Sequence, residues 1–217
     1  MGLLVDGIWH DEWYDTESTG GRYMRRASRF RSWVTPDGNA GPSGEAGFAA
    51  EAGRYHLYGS LGCPWAQRTL IFRKLKRLES VVSLSIVEPV MGKEGWEFGS
   101  SEGAIPDTVN GMKQLADIYL LADPHFTGRV TVPVPWDKQR RTIVNNESAE
   151  IIRMFNSAFA AIADAGIDYY PVELRAEIDR INAFVYETST TASIAPASLR
   201  RSRPMRKHSK RSSRHST

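Results

Sequence analysis

The sequence predicts an α/β fold: a mixed sheet with helices that runs into the start of an all-helical region. Three observations carry this expectation. Segments of strand-like alternation and of helical periodicity follow one another in the order β-α-β, connector, β-β-α, helix. The only cysteine, Cys63, stands between a strand-like and a helix-like run. The 217 residues are 41% hydrophobic and 24% charged, ordinary for a globular chain long enough to bury a core.

Residues 1–50 are rich in aromatics, Arg and Gly, and read as an irregular arm followed by a small-residue loop. The arm's aromatics are expected to pack on the body. The main domain is placed over residues 51–163. It opens with RYHLYGS, residues 54–60, an alternating and aromatic-rich strand. A helix follows from Pro64, a residue suited to a first helical turn, with apolar positions at Trp65, Leu70, Ile71, Leu75 and Leu78. VVSLSIVEPV is a second strand. A Gly-rich connector over residues 91–110 leads to a short helix in GMKQLADIYLLADP. VTVPV is read as a strand in which Pro133, lacking an N–H, must sit at a strand start or an edge. RRTIVNN is the next strand. ESAEIIRMFNSAFAAI is a helix with Ile151, Ile152, Phe155 and Phe159 on its apolar side and Glu147 in its first turn. Residues 164–187 hold one more helix, opening at Pro171 with Glu173 near its start. This order matches a thioredoxin-like α/β domain leading into a helical domain.

Composition narrows the function classes. No apolar run approaches membrane-spanning length, and the N-terminus is too acidic and aromatic for a signal peptide. One cysteine excludes an internal disulfide and a cysteine-based zinc site, so a reducing cytoplasm is the expected location. The net charge is +3, which suggests a basic protein meeting nucleic acid. The distribution argues otherwise. Residues 188–217 hold eight of the 28 basic side chains and none of the 25 acidic ones, leaving residues 1–187 with a net charge of −5. The tail also lacks aromatics for stacking on bases, so nucleic-acid binding is a distant alternative and no specific nucleic-acid partner is expected.

The chemistry centres on Cys63. A cysteine at the head of a helix meets unpaired N–H groups and the positive end of the helix dipole, which favour thiolate over thiol. The thiolate is the species that attacks a disulfide or an activated sulfur. Ala66 stands three residues on, where a dithiol site would have its second cysteine, so an external thiol is needed to resolve any intermediate. The competing reading is a buried cysteine acting as a small hydrophobe. The strand-Gly62-Cys63-Pro64-helix setting favours function.

LGCPWAQRT, GRVTVPVPWDK and TIVNNESAEIIRMFN closely resemble the glutathionyl-hydroquinone reductases, the xi class of glutathione transferases, and the arm DGIWHDEWYDTESTGGRYMRRASRFRSWV resembles that family's opening. The resemblance spans residues 7–187. It implies a thioredoxin-like N-terminal domain followed by the all-α glutathione-transferase C-terminal domain, here truncated. It implies glutathione as co-substrate, a glutathionyl-hydroquinone as substrate, and neither metal nor nucleotide. Cys63 would attack the glutathione sulfur and form a mixed disulfide that a second glutathione resolves. Val132, before an expected cis Pro133, would pair its backbone with the cysteinyl part of glutathione. Glu147 would accept from the γ-glutamyl ammonium and Ser148 would donate to its carboxylate. Trp96 and Arg129 would supply a wall and a carboxylate contact. The plainer alternatives are helix capping for Glu147 and Ser148, and packing and a solvated charge for Trp96 and Arg129. An omega-like thiol transferase or dehydroascorbate reductase is the neighbouring activity.

The chain departs from that family after Glu187. Where an Asn-Asn-Gly-Val-Tyr segment is expected, it reads TSTTASIAPASLRRSRPMRKHSKRSSRHST, with no acid, no aromatic and no helical period. Back-translated with allowed codons and read from the last base of the Thr188 codon, residues 189–194 become Val-Asn-Asn-Gly-Val-Tyr, and an amphipathic helix follows. A frameshift is therefore expected, with residues 188–217 a disordered aberrant tail. The replaced segment would hold the tyrosines that line the family's hydroquinone site and most of its homodimer surface. The face of Ile178, Ile181 and Phe184 is then expected to lie exposed, and activity to be impaired or lost.

Overall fold

The structure, a computed structural model, describes residues 2–12, 27–44, 47–163 and 166–190. The expectations for residues 13–26 of the arm and 191–217 of the tail lie outside the described residues. The chain divides into two compact units, Met1–Trp13 with Arg25–Arg180 and Tyr14–Met24 with Ile181–Thr217.

The first unit is built on a four-stranded sheet. Its strands are β5 (Tyr55–Gly59), β6 (Val82–Ile86), β8 (Val134–Asp137) and β9 (Thr142–Ile143), in the order β6-β5-β8-β9. Strand β6 runs parallel to β5, which requires the crossover helix α1 (Pro64–Leu75); β8 is antiparallel to β5, and β9 to β8. Every residue of β5 is buried, as befits a central strand. Directly opposed residues share a sheet face. Tyr58 opposite Val134 and His56 opposite Trp136 therefore look to one side, where helix α2 (Leu115–Ala122) adds Leu115, Ile118 and Tyr119 to the core. Leu57 looks to the other side, where Ile151, Met154 and Phe155 of α3 (Ser148–Ser157) meet Leu78 and Val82. Helices α1 and α3 pack against each other.

One end of this sheet is stapled by a buried ion pair. Arg54 donates to both carboxylate oxygens of Asp137, at 3.0 and 2.5 Å, across the start of β5 and the end of β8. The two-pronged bond compensates the desolvation of both charges.

The arm is more regular than the composition suggests. It contains β1 (Leu3–Val5) and β2 (Ile8–His10), a hairpin joined by Asp6 and Gly7, both at positive φ. A short strand β7 (Gly128–Arg129) pairs with β1. Strands β3 (Trp33–Thr35) and β4 (Gly47–Ala49) form a parallel pair. The expected aromatic packing is present: Phe30 stacks on Phe126 at 5.5 Å and meets Tyr119 edge-on. VTVPV is not a strand as a whole. Residues 130–133 run irregularly and β8 begins at Val134, immediately after Pro133, which has no N–H to give a ladder. Helix α4 (Arg175–Val185) follows a short 3₁₀ turn at Val172–Leu174 and leads into a π-helical turn at Tyr186–Thr190. Ile181 and Phe184 are exposed, whereas Ile178 is partly buried.

Candidate functional site

Cys63 is the N-cap of α1, in extended conformation, with Pro64 at the first helical position. Its carbonyl accepts from the Gln67 N–H at 2.9 Å, while its side chain makes no capping hydrogen bond. The turn that delivers it is tied at both ends. Gly62 N–H donates to Ser60 Oγ at 3.1 Å, and Gln67 Nε2 donates to the Leu61 carbonyl at 2.7 Å. Gly62 has a packing reason: a Cβ there would lie 3.0 Å from the Pro89 carbonyl oxygen. Cys63 is half-buried, with one side against the α2-side core.

Topology brings the other site segments to the same place. Cys63 follows the C-terminal end of β5, and Tyr58 near that end pairs with Val134 at the start of β8. Val132 and Pro133 immediately precede Val134, so they lie at this sheet end, and the peptide between them is cis. Strand β9, antiparallel to β8, delivers residues 144–148 to the same end. Val132 is 5% exposed, and its backbone N–H and C=O make no hydrogen bond among the described residues. Buried backbone groups left so are uncommon, and an extended backbone laid beside them could pair with them.

The head of α3 is built by its preceding residues. Asn145, fully buried, accepts the Glu147 N–H on its Oδ1 at 2.6 Å. Glu147 is the N-cap, accepting from Ala149 N–H at 3.5 Å and from the Ser28 hydroxyl at 3.3 Å. Its capping role is thus real, and it does not preclude ligand binding. Ser148 is buried, and its Oγ accepts two hydrogen bonds from Arg68 of α1.

Trp96 is 8% exposed and belongs to the α2-side core. Its carbonyl accepts from Leu115 N–H and so anchors the start of α2. Arg129 lies half-buried on β7, paired with Leu3, and its guanidinium donates to the Glu12 carbonyl. The structure therefore gathers Cys63, Val132, Pro133, Glu147 and Ser148 at one sheet end, and gives Trp96 a packing role and Arg129 a bond to the arm.

Two supporting residues escape a reading of the sequence. One is Arg68. The other is Tyr119, whose hydroxyl donates to the Thr131 carbonyl at 2.8 Å and accepts from Thr131 N–H at 3.3 Å and Asn146 Nδ2 at 3.2 Å. Thr131 precedes Val132 and Asn146 precedes Glu147, so one buried hydroxyl spaces the two halves of the site. Nothing local in LADIYLLAD signals that role. Among the described residues, no group of three or more His, Cys, Asp or Glu is placed to hold a metal ion, and no helix is long and apolar enough to cross a membrane.

The chain is similar to known proteins over most of its length. The family described as glutathione S-transferase, N-terminal domain, matches residues 62–158. Glutathionyl-hydroquinone reductase YqjG of Escherichia coli is 58% identical over 189 residues, covering 87% of this chain and 58% of the relative. Glutathionyl-hydroquinone reductase PcpF of Sphingobium chlorophenolicum is 52% identical over 188 residues, 87% of this chain and 57% of the relative. The glutathione-bound structure of Escherichia coli YqjG superposes with a TM-score of 0.73 at 54% identity, covering 84% of this chain and 54% of that one.

The chain carries a glutathione S-transferase N-terminal domain, and it is similar to xi-class transferases over most of its length.

The chain spans somewhat more than half the length of the relatives it matches. It is also 43% identical, over 178 residues, to glutathione S-transferase omega-like 2 of Schizosaccharomyces pombe, covering 80% of this chain and 55% of that relative.

Proposed function

We propose that this chain carries the glutathione half-site of a glutathionyl-hydroquinone reductase. The observation that carries the reading is the buried Val132 backbone, unpaired among the described residues, at the same sheet end as the Cys63 thiol, which makes no capping hydrogen bond. An extended cysteinyl residue pairing with Val132 as a strand would bring its own sulfur to Cys63. Glu147 and Ser148 then meet the ammonium and carboxylate of the γ-glutamyl end, at the positive head of α3.

The reaction follows from the thiol. The Cys63 thiolate attacks the glutathione sulfur of the aryl thioether. A sulfur–sulfur bond forms, the carbon–sulfur bond breaks, and its electron pair stays with the ring carbon, which takes a proton to give the hydroquinone. A second glutathione thiolate attacks the Cys63–glutathione disulfide, releasing glutathione disulfide and the Cys63 thiolate. The ring carbon is reduced and two glutathione sulfurs are oxidised. No second cysteine takes part, which fits Ala66 three residues on. The identity to an omega-like transferase favours one second reading, in which the same mixed disulfide reduces dehydroascorbate or protein-glutathione disulfides. We place the protein in the cytoplasm, where glutathione keeps such a thiol reduced.

The aromatic substrate needs groups beyond this half-site. If residues 188–217 read in a shifted frame, those groups are replaced by a basic tail, and hydroquinone turnover by the 217-residue chain is weak or absent, as is the homodimer. The decisive experiment is incubation of the purified chain with glutathione disulfide, followed by mass spectrometry. Wild type is expected to gain one glutathionyl group at Cys63 and release it with excess glutathione, and Cys63→Ser to gain none. Parallel assays with a glutathionyl-hydroquinone and with dehydroascorbate separate the two readings. Absence of a Cys63 adduct in a folded chain would overturn both.

A further inference from the structure

We propose that Arg68 is a positioning residue of the γ-glutamyl subsite: it holds the Ser148 hydroxyl so that its proton faces the ligand's α-carboxylate, and thereby sets a preference for thiols bearing that group. This rests on the glutathione reading above.

Arg68 lies on α1, five residues beyond Cys63. Its Nε is 3.1 Å and its Nη2 2.7 Å from Ser148 Oγ. A guanidinium has donors only, and a hydroxyl has two lone pairs and one proton. With both lone pairs taken by Arg68, the Ser148 proton must point away from it. Ser148 is 3% exposed, and among the described residues no acceptor meets that proton and no acceptor meets its backbone N–H. Two unused donors therefore converge at one buried residue, at the positive head of a ten-residue helix, beside the Glu147 carboxylate. A carboxylate suits the first pair and an ammonium suits the second, and an α-amino acid end carries both.

The guanidinium is held for this task. It sits over the Trp65 ring, 5.0 Å from its centroid, a contact that restrains the side chain. Donation from a charged group also polarises the hydroxyl and makes it a stronger donor to an anion. A lysine would bring charge but not two parallel bonds to one oxygen. Arg68 acts through Ser148 and its distance to the reacting sulfur is irrelevant to the claim.

The test is calorimetric titration of the 217-residue chain with glutathione and with γ-aminobutyryl-cysteinyl-glycine, which lacks only the α-carboxylate. Arg68→Gln and Ser148→Ala are each expected to weaken glutathione binding about tenfold. The double variant is expected to be no weaker than Ser148→Ala alone, because the two losses report one interaction. The decarboxylated ligand is expected to bind wild type about tenfold more weakly and to be insensitive to Arg68→Gln. Losses that multiply to about a hundredfold in the double variant would show Arg68 acting independently of Ser148 and overturn the proposal. So would equal binding of the two ligands by wild type, a comparison that needs no variant to fold. A folded wild type that binds neither ligand would overturn the glutathione reading, and the proposal with it.

Discussion

Alanine at position 66 decides what kind of thiol chemistry Cys63 can perform. Without a partner three residues along the helix, the intermediate must be resolved from solution, and the surrounding residues must then hold a thiol-bearing ligand rather than a second side chain. On the proposed reading, Glu147 is the anionic half of that holder. Glu147→Gln keeps an oxygen for the Ala149 N–H and removes the charge, so glutathione affinity is expected to fall about tenfold while thermal stability changes little. Calorimetric titration beside a melting curve reads both quantities. At the other end of the chain, Gly7 sits at φ 76°, and a Cβ there would lie 2.2 Å from the Pro124 carbonyl oxygen. Gly7→Ala is expected to destabilise the fold by more than about 1 kcal/mol, visible as a lowered urea midpoint. The Asp6-Gly7 pair between Val5 and Ile8 was a legible hairpin signal, since a type I′ two-residue turn needs both central residues at positive φ. Reading the arm as irregular passed over it. Arg68 was not legible, because α1 periodicity marks the residue as polar without saying which helix it faces.

Among the elements, β5 concentrates buried polar groups whose partners come from its neighbours. His56 is fully buried between Ser83 and Ser85 of β6, with ring nitrogens 2.7 and 2.9 Å from their hydroxyls. Burial pulls the imidazole down from 6.5 to about 4, with the Asp107 charge opposing. The sign follows from the proton count. In the unfolded chain the ring gains its proton as pH falls through 6.5, and in the folded chain only near 4. The stabilisation from a neutral His56 is full above pH 6.5 and is lost as pH falls toward 4, a change of about 3 kcal/mol. Urea unfolding across this range is expected to show that slope, and His56→Gln to flatten it; an unchanged slope would count against the assignment. Tyr58, two residues on, donates to Asp107 at 3.0 Å, and Asp107 also accepts from the N–H groups of Val109, Asn110 and Met112. Asp107→Ala leaves four donors without this acceptor and is expected to cost about 3 kcal/mol or more by chemical denaturation. The strand itself was legible from alternation in RYHLYGS. Its partners were not, because pairing His56 with Ser83 joins residues 27 apart through a parallel register.

On the scale of the molecule, apolar surface is unevenly covered. Val172 in the 3₁₀ turn is 73% exposed, and Ile181 and Phe184 on α4 are 46% and 63% exposed, so both elements present large side chains to solvent. Such groups favour self-association. Ile181→Ser with Phe184→Ser is expected to raise the monomer fraction, measured by light scattering across a concentration series, with little change in the melting of the sheet domain. A monomer fraction unmoved by the pair would place the association elsewhere.

The amino-acid order by itself determined the succession of elements and the position of Cys63 at a helix head, because periodicity, Gly62 and Pro64 act within a few residues of where they stand. It also set the charge divide near residue 188, which is composition alone. Only the tertiary structure decided that Val132 lies at the sheet end shared with Cys63, that Tyr119 spaces the two halves of the site, and that Arg68 meets Ser148 across 80 residues of chain. These are contacts between elements, and their geometry follows from strand register and helix packing, which no local pattern encodes.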